Sequence, residues 1–223
     1  MLRFIPAALL ALTAAGLTAC GTSANAAARK AADSTRADSI ARARQDSINR
    51  TLPGYVIDSA HTPEEDLRRF RKAFPGDSAT TFVGGSSSRE ALVRRFVRAV
   101  VESDTNDLRA MAVHAREFSD LYYPESPYAH PPYHQPPEEA WMLIQTPSST
   151  GLTKLLKKLG GKPMTYVSNA CDPKVAHDGA TTRYAGCLVR TVGTNGDTVT
   201  RRLFGSIVER NGQYKFLSYT NNF

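Results

Sequence analysis

The residues best suited to metal chemistry lie in one proline-rich window, residues 120–141. It contains His130 and His134, and two histidines at this spacing can share a metal ion when they lie on one face of a helix. Two prolines stand between them and exclude such a helix. In an extended polyproline geometry, at about 3.1 Å per residue, the histidines would lie on the order of 12 Å apart. We therefore predict no metal site and no cofactor, since zinc would also require further ligands such as Glu125.

The same window is rich in tyrosine and has two interpretations. Pro124 and Pro127 have the PxxP spacing, so the window could be a proline-rich motif that binds in an aromatic groove of a partner protein. Helix signals at both ends favour instead an ordered loop, packed by its own aromatic side chains, that forms the lid or wall of a pocket. The pocket or lid candidates are Tyr122, Tyr123, Tyr128, Tyr133 and Trp141, with Tyr122, Tyr123 and Trp141 as packed anchors and His130 and His134 as an exposed tip.

Acid–base catalysis would need paired titratable side chains, and no pair stands out by its spacing. His114 follows an apolar residue in a predicted helix, which is typical of a partly buried structural histidine. Asp120 lies one turn before Pro124 and could cap a helix or line a cleft. Both are further pocket candidates. No catalytic residue is identified, and we expect a protein that is not an enzyme.

The N-terminal residues 1–19 are typical of a signal peptide, with Arg3 followed by an apolar segment too short for a comfortable membrane span. The segment ends in Leu-Thr-Ala-Cys, which resembles the lipobox of bacterial lipoproteins. The resemblance implies cleavage before Cys20, diacylation of its sulfur and a membrane partner. Gly21 after the cysteine favours the outer membrane, facing the periplasm. The alternative is an ordinary signal peptide with a chance cysteine.

The cysteine count agrees with an exported protein. The chain has three cysteines, and lipidation of Cys20 leaves Cys171 and Cys187 to form a disulfide in an oxidising compartment. The alternative is two buried free thiols. The antiparallel register that this pairing predicts is Ala170 with Leu188, Ser168 with Arg190 and Tyr166 with Val192.

The formal net charge of +7 favours an anionic partner. In a cytosolic protein this would indicate nucleic acid, but an exported protein is better placed to meet anionic lipid headgroups, so we predict no nucleic-acid partner. Four lysines lie roughly opposite a leucine stripe on a predicted helix, and they face either lipid or water. They are Lys154, Lys157, Lys158 and Lys162.

The elements that position these residues begin after a tether. Residues 20–60 have almost no large apolar side chains and cannot form a core, so they form a flexible or helical tether. Residues 61–86 are predicted to be a capping helix and a loop. In that helix Thr62 is the N-cap, Pro63 takes the first position and Glu65 completes a capping box.

Residues 87–223 are predicted to be the main domain. Helices begin near Ser88, Pro137 and Ser149, and the pattern then changes from helical to alternating. Strands are expected at 164–170, 181–192, 198–209 and 214–219, with hairpin turns at Asn195-Gly196 and Asn211-Gly212. The fold class is therefore α+β, with N-terminal helices packed on a curved antiparallel four-stranded meander.

The helix SREALVRRFVRAVVESDTNDLRAM, a Tyr-Tyr-Pro segment and the terminal GSIVERNGQYKFLSYTNNF resemble the nuclear-transport-factor-two-like superfamily over residues 87–223. The resemblance implies a cone-shaped domain in which a curved, cystatin-like sheet wraps a helix. That superfamily contains both enzymes and binding domains. We expect a lipid-anchored envelope protein whose domain binds a small apolar ligand or an envelope partner. The alternatives are an isomerase-, dehydratase- or cyclase-like enzyme with an acid–base residue in the cone, and a structural envelope scaffold.

Overall fold

The computed structural model describes residues 20–49, 51, 61–130 and 133–223. The described residues divide into two units, one before residue 61 and one from residue 61 to residue 223. In the first unit, helix α1 (Cys20–Asn49) has exposed side chains wherever these are described. Within the described residues, no helix combines the length and apolarity needed to cross a membrane. The predicted signal peptide, residues 1–19, lies outside the described residues.

The second unit begins with a series of helices and helical turns. The helices are α2 (Pro63–Ala73), α3 (Arg89–Glu102), α4 (Thr105–Ala110) and α5 (Ala115–Glu117). Thr62 caps α2 as predicted, because its hydroxyl accepts a hydrogen bond from Glu65 N. The reciprocal half of the capping box does not form, since the Glu65 carboxylate pairs with Arg68 and Arg69 instead. A π-helical turn (Phe118–Tyr122) and two 3-10 turns (Tyr123–Glu125 and Pro127–Ala129) complete the series.

Helix α6 (Pro137–Leu159) corrects the prediction that a new helix opens at Ser149. The helix starts at Pro137 as expected but continues through Pro147. A proline inside a helix costs about 3 kcal/mol. The buried positions explain why the helix continues, because they recur every three or four residues along one face that packs throughout its length. They are Pro137, Ala140, Ile144, Ser148, Gly151 and Leu155.

Seven antiparallel strands follow, in two sheets rather than one four-stranded meander. One sheet contains β1 (Met164–Ala170), β4 (Leu188–Gly193) and β5 (Thr198–Arg201) in the order β1-β4-β5. The other contains β2 (Ala176–Asp178), β3 (Thr181–Tyr184), β6 (Ile207–Arg210) and β7 (Gln213–Phe216) in the order β2-β3-β6-β7. The α+β class is confirmed, and the sheets do not close into a barrel.

The two sheets arise because each of the two longest predicted strands breaks in the middle. The predicted strand 181–192 is interrupted at residues 185–187, where Gly186 has a positive φ of 61°. Its partner, predicted at 198–209, is interrupted at residues 202–206. Near this break Gly205 N donates to Ser218 O, and Leu217 N donates to Ser206 O. The chain therefore leaves one sheet and enters the other at two facing breaks.

The predicted disulfide is confirmed, and so are two of the three predicted residue pairs. Cys171 and Cys187 are bonded, with their Cα atoms 3.8 Å apart. Ala170 pairs with Leu188 and Ser168 with Arg190, as expected. The third predicted pair is wrong, because Tyr166 pairs with Thr191 after a bulge between Tyr166 and Ser168. A bulge places one extra residue on one strand and so shifts every later pair by one position.

Both predicted hairpin turns form, with different geometry. Asn211 and Gly212 both have positive φ, 52° and 73°, as a two-residue type I′ turn between β6 and β7 requires. At the other turn, between β4 and β5, only Gly196 has a positive φ, of 80°. Gly193 N donates to Asp197 O there, which leaves three residues in the loop and makes this a longer hairpin.

Two clusters of buried side chains hold the second unit together. The larger packs the apolar face of α3 and Leu155 of α6 against strand residues such as Val189 and Phe216. Phe96 of α3 is fully buried, and its ring centroid lies 5.2–5.8 Å from the rings of Phe204, Phe216 and Tyr219. The smaller cluster joins Phe70 of α2 to the proline-rich window and α6. Helix α2 is thus part of the same compact unit as the strands.

Candidate functional site: a tyrosine-lined cleft

A cleft of about 620 Å³ lies between the proline-rich window, α6 and the ends of the strands, and we call it the tyrosine cleft. The window supplies three tyrosines, α6 supplies an apolar side and the strand ends supply Arg183 and several hydroxyl groups. Its lining residues are Tyr122, Pro127, Tyr128, Tyr133, Gln135, Leu143, Ile144, Pro147, Arg183, Ser206, Leu217, Ser218 and Thr220. The window is therefore a wall of this cleft.

Hydrogen bonds within the window fix the shape of that wall. The hydroxyl of Tyr123, a buried residue, donates to Gln135 O (2.8 Å), and Gln135 N donates to Tyr128 O (2.8 Å). The Ser126 hydroxyl donates to Tyr123 O. Proline further restricts the backbone by fixing φ. Two of these bonds run to Gln135, just before α6, and they hold the 3-10 turn that contains Tyr128 beside that helix.

An ion pair ties the window to the sheet. Glu125 accepts a hydrogen bond from Arg210 of β6 at 2.6 Å and another from Ala180 N at 3.0 Å. Arg210 also donates to Leu121 O and to the Thr181 hydroxyl. The side chain of Arg210 is mostly buried and that of Glu125 is 31 % exposed, so this charge-assisted pair is partly shielded from water. One glutamate thus connects the wall of the cleft to two strands and the turn between β2 and β3.

Arg183 and Tyr122 give the cleft its polar character. Arg183 Nε donates to Asp178 at 3.3 Å, and its other guanidinium nitrogens form no hydrogen bond with the described residues. Tyr122 is 1 % exposed, and burial raises the pKa of its hydroxyl well above the ordinary value. The hydroxyl therefore stays protonated at neutral pH. Both groups can donate hydrogen bonds to a ligand in the cleft.

The described lining contains no Asp, Glu or His side chain. Its polar groups are hydroxyls, one amide and one guanidinium, which donate or accept hydrogen bonds. Its apolar groups are aromatic rings, prolines, leucines and Ile144. A concave surface of this kind, with an apolar majority and a few directed polar groups, is typical of ligand binding.

The structure places three of the seven pocket candidates in this cleft, and they are Tyr122, Tyr128 and Tyr133. Tyr123 and Trp141 do not line the cleft. Tyr123 belongs to the smaller cluster of buried side chains, and Trp141 packs against that cluster. The Trp141 ring centroid lies 4.9 Å from that of Phe118 and 6.3 Å from that of Phe70. Tyr122, Tyr123 and Trp141 are therefore packed side chains, and among them only Tyr122 also faces the cleft.

His114 and Asp120 serve other purposes. His114 precedes α5 as its N-cap, where partial burial of the ring lowers the pKa of its imidazole. Asp120 has a side chain only 7 % exposed and pairs with Arg71 at 2.7 Å and Arg116 at 3.2 Å. It also accepts a hydrogen bond from Ala79 N. Asp120 thus fastens α2 and the loop after it to the π-helical turn, and it does not line the cleft.

The two histidines of the window are exposed as predicted. His130 O accepts hydrogen bonds from Tyr133 N and His134 N. His130 Nε2 hydrogen-bonds to Pro124 O at 3.0 Å, and His134 has a positive φ of 43°. Among the residues that the structure describes, no group of three or more His, Cys, Asp or Glu side chains is placed to hold a metal ion.

Sequence reasoning missed the strand-side half of the lining. Arg183, Ser206, Ser218 and Thr220 come from segments far apart in the sequence, and no local pattern marks them.

Comparisons with known proteins give no relative of this chain: no known family, no curated protein and no solved structure matches it.

Proposed function

We propose that this chain is a lipid-anchored protein of the bacterial cell envelope whose second unit binds a small ligand in the tyrosine cleft. The observation that carries the binding proposal is the cleft itself, which has a volume of about 620 Å³ and is lined by three tyrosines, Arg183 and the hydroxyl groups of Ser206, Ser218 and Thr220. That volume suits a molecule of drug-like size. The lining favours an apolar ring system that bears a few hydrogen-bonding groups.

The cleft favours binding over catalysis. A cone-fold enzyme needs an acid–base side chain in its cavity, and the described lining contains no Asp, Glu or His. The scaffold alternative is less well supported, since a pure scaffold has no need of a lined cleft. We further propose that the two sheets and α3 correspond to the cone of the nuclear-transport-factor-two-like superfamily. Contacts of α3 with both sheets, through β1 and β7, support that proposal.

The proposed location in the cell envelope rests on the sequence Leu-Thr-Ala-Cys at residues 17–20 and agrees with the Cys171–Cys187 disulfide. The proposed location is the outer membrane, with the protein facing the periplasm. Metabolic labelling with palmitate tests it directly. The wild-type chain should incorporate label and its processing should be blocked by globomycin, whereas Cys20→Ser should incorporate none. Wild-type protein that incorporates no palmitate would contradict the proposed lipid anchor and envelope location.

A fluorescent apolar probe tests binding in the cleft. N-phenyl-1-naphthylamine should bind the wild-type protein with increased emission, since it would be transferred from water to an apolar site. Thr220→Trp places a large ring in the cleft and should abolish the signal. Thr200→Trp, on an exposed strand position outside the cleft, is the matched control and should bind as the wild type does. Equal binding by all three proteins would exclude the cleft as the site.

A further inference from the structure

A second cleft, of about 800 Å³, carries a concentrated positive charge. Its lining contains five cationic side chains, and we call them the basic face. They are Lys154, Lys157, Lys158, Lys162 and Arg201. Leu159 and Phe223 are the other described residues that line it, so no carboxylate side chain lies among them. All five cationic residues are exposed.

The local sequence explains why these charges meet. Lys154, Lys157 and Lys158 lie on the last two turns of α6 and are exposed, whereas Leu155 between them is buried. Lysines there also interact favourably with the negative end of the helix dipole. Lys162 follows in the turn after the helix, and Arg201 ends β5 beside it.

Among the described residues, no acidic side chain neutralises the cationic side chains of the basic face. None of the five forms an ion pair, whereas Arg94 and Arg95 on α3 each pair with a carboxylate. Asp197 is the acidic residue of the adjoining cleft that Lys162 and Arg201 also line, and it pairs with neither. Five like charges close together repel one another, so an anionic surface brought against them would be attracted by all five at once.

We propose that the basic face docks on an anionic phospholipid bilayer. Phe223 lies among the lysines, with the Lys158 ammonium 5.0 Å from its ring centroid. An aromatic ring flanked by lysines suits the headgroup region of a membrane, where rings and cations both find partners. The inference goes beyond the proposed ligand binding and rests on the proposed envelope address only for its physiological setting. A single lipid anchor gains strength from a basic surface of this kind, because stable anchoring commonly takes two signals.

Sedimentation with vesicles tests the proposal on the chain from residue 20 onward, carrying Cys20→Ser so that no acyl chain contributes. Vesicles containing phosphatidylglycerol should pull the protein down, and pure phosphatidylcholine vesicles should not. The combined variant Lys154→Gln/Lys157→Gln/Lys158→Gln should bind about a hundredfold more weakly, since each cation near an anionic surface contributes about fivefold. Binding should also weaken as salt is added.

A matched control separates the basic face from net charge. Arg29→Gln/Arg36→Gln/Arg42→Gln removes the same charge from exposed positions of α1 and should bind nearly as the wild type does. An equal loss in both variants, or no sedimentation with phosphatidylglycerol vesicles, would overturn the proposal. Release of the protein by millimolar inorganic phosphate at constant ionic strength would indicate a phosphate site instead and would equally overturn it. Because this protein has no acyl chain, failure here is distinguishable from failure of the palmitate labelling.

Discussion

Lys215 and Glu117 form an ion pair that is almost completely removed from water. The lysine side chain is 0 % exposed and the glutamate side chain 5 %, with Nζ 2.7 Å from the nearer carboxylate oxygen. Lys215 also donates to Val83 O, while Glu117 accepts from Val83 N and His114 N. Strand β7, α5 and the loop before α3 are thus joined at one point. Every donor of the ammonium group has a partner, so the pair is structural.

Removing one member of this pair should be costly. Lys215→Met leaves a buried carboxylate without its cation, and we expect the free energy of unfolding to fall by about 3 kcal/mol. Glu117→Gln should restore part of that loss when combined with Lys215→Met, because the remaining buried group is then neutral. Urea denaturation of the two single variants and the double variant gives the coupling energy. Lys174→Met, at an exposed position, is the control and should change stability little. Strictly additive losses would contradict the pairing.

The disulfide should contribute a comparable amount. Cys171 and Cys187 join the end of β1 to the start of β4, and Cys187 is fully buried in the larger cluster. By the loop-entropy model, closing a loop of this size contributes about 3 kcal/mol. We expect Cys171→Ala/Cys187→Ala to lower the free energy of unfolding by roughly that amount. Addition of a reductant should destabilise the wild-type protein and leave the double variant unchanged. A reductant effect on the double variant would assign the loss to something else.

Local patterns predicted the elements that depend on local physics. The Ser88 cap and the apolar stripe of α3 gave that helix correctly, because capping and amphipathic spacing act within a few residues. The alternating pattern of β1 gave its bounds, and the pairing of two cysteines gave the register next to them. Each of these features is fixed by residues that are close together in the sequence or covalently joined.

Features that depend on distant contacts were not predictable. Whether α6 passes through Pro147 is decided by the surfaces on both sides of it, including the C-terminal segment that contacts Gly151. The bulge at β1 and the breaks near Gly186 and Gly205 depend on how two sheets meet, which no single strand pattern contains. The strand-side lining of the tyrosine cleft, which includes Arg183, was not predictable for the same reason, because its residues meet only in the folded chain.

Acid should loosen the wall of the tyrosine cleft through Glu125. Hydrogen bonds from Arg210 hold the pKa of Glu125 below its ordinary value of 4.5. Since the unfolded carboxyl has the higher pKa, the unfolded chain takes up its proton first as the pH falls. The stabilisation is therefore fully present above about pH 4.5 and is lost as the pH falls through the lower, folded pKa.

Glu125→Gln removes this titration, so its free energy of unfolding should fall less between pH 6 and pH 3 than that of the wild type. Glu102→Gln, at an exposed position without an ion pair, should keep the wild-type slope. Urea titrations at several pH values measure all three proteins. An identical slope for Glu125→Gln and the wild type would show that the pair with Arg210 does not contribute to the acid sensitivity.

Replacing Gly151, in the middle of α6, by alanine should destabilise the protein, although the same replacement usually stabilises a helix. In an ordinary helix interior, Gly→Ala stabilises by about 1 kcal/mol. Here a Cβ would lie 2.1 Å from Tyr219 O, and Gly151 O accepts a hydrogen bond from Asn221, so the C-terminal segment packs directly on the helix backbone. The backbone carbonyl cannot rotate away as a flexible side chain would. We expect Gly151→Ala to lower the free energy of unfolding by roughly 1–3 kcal/mol, the usual cost of overpacking.

Ser149→Ala, two residues away on the exposed side of the same helix, is the control, and its free energy of unfolding should stay within about 0.5 kcal/mol of the wild type. Thermal unfolding of both variants compares them directly, and a Gly151→Ala protein more stable than the wild type would show that the terminal segment does not pack on α6.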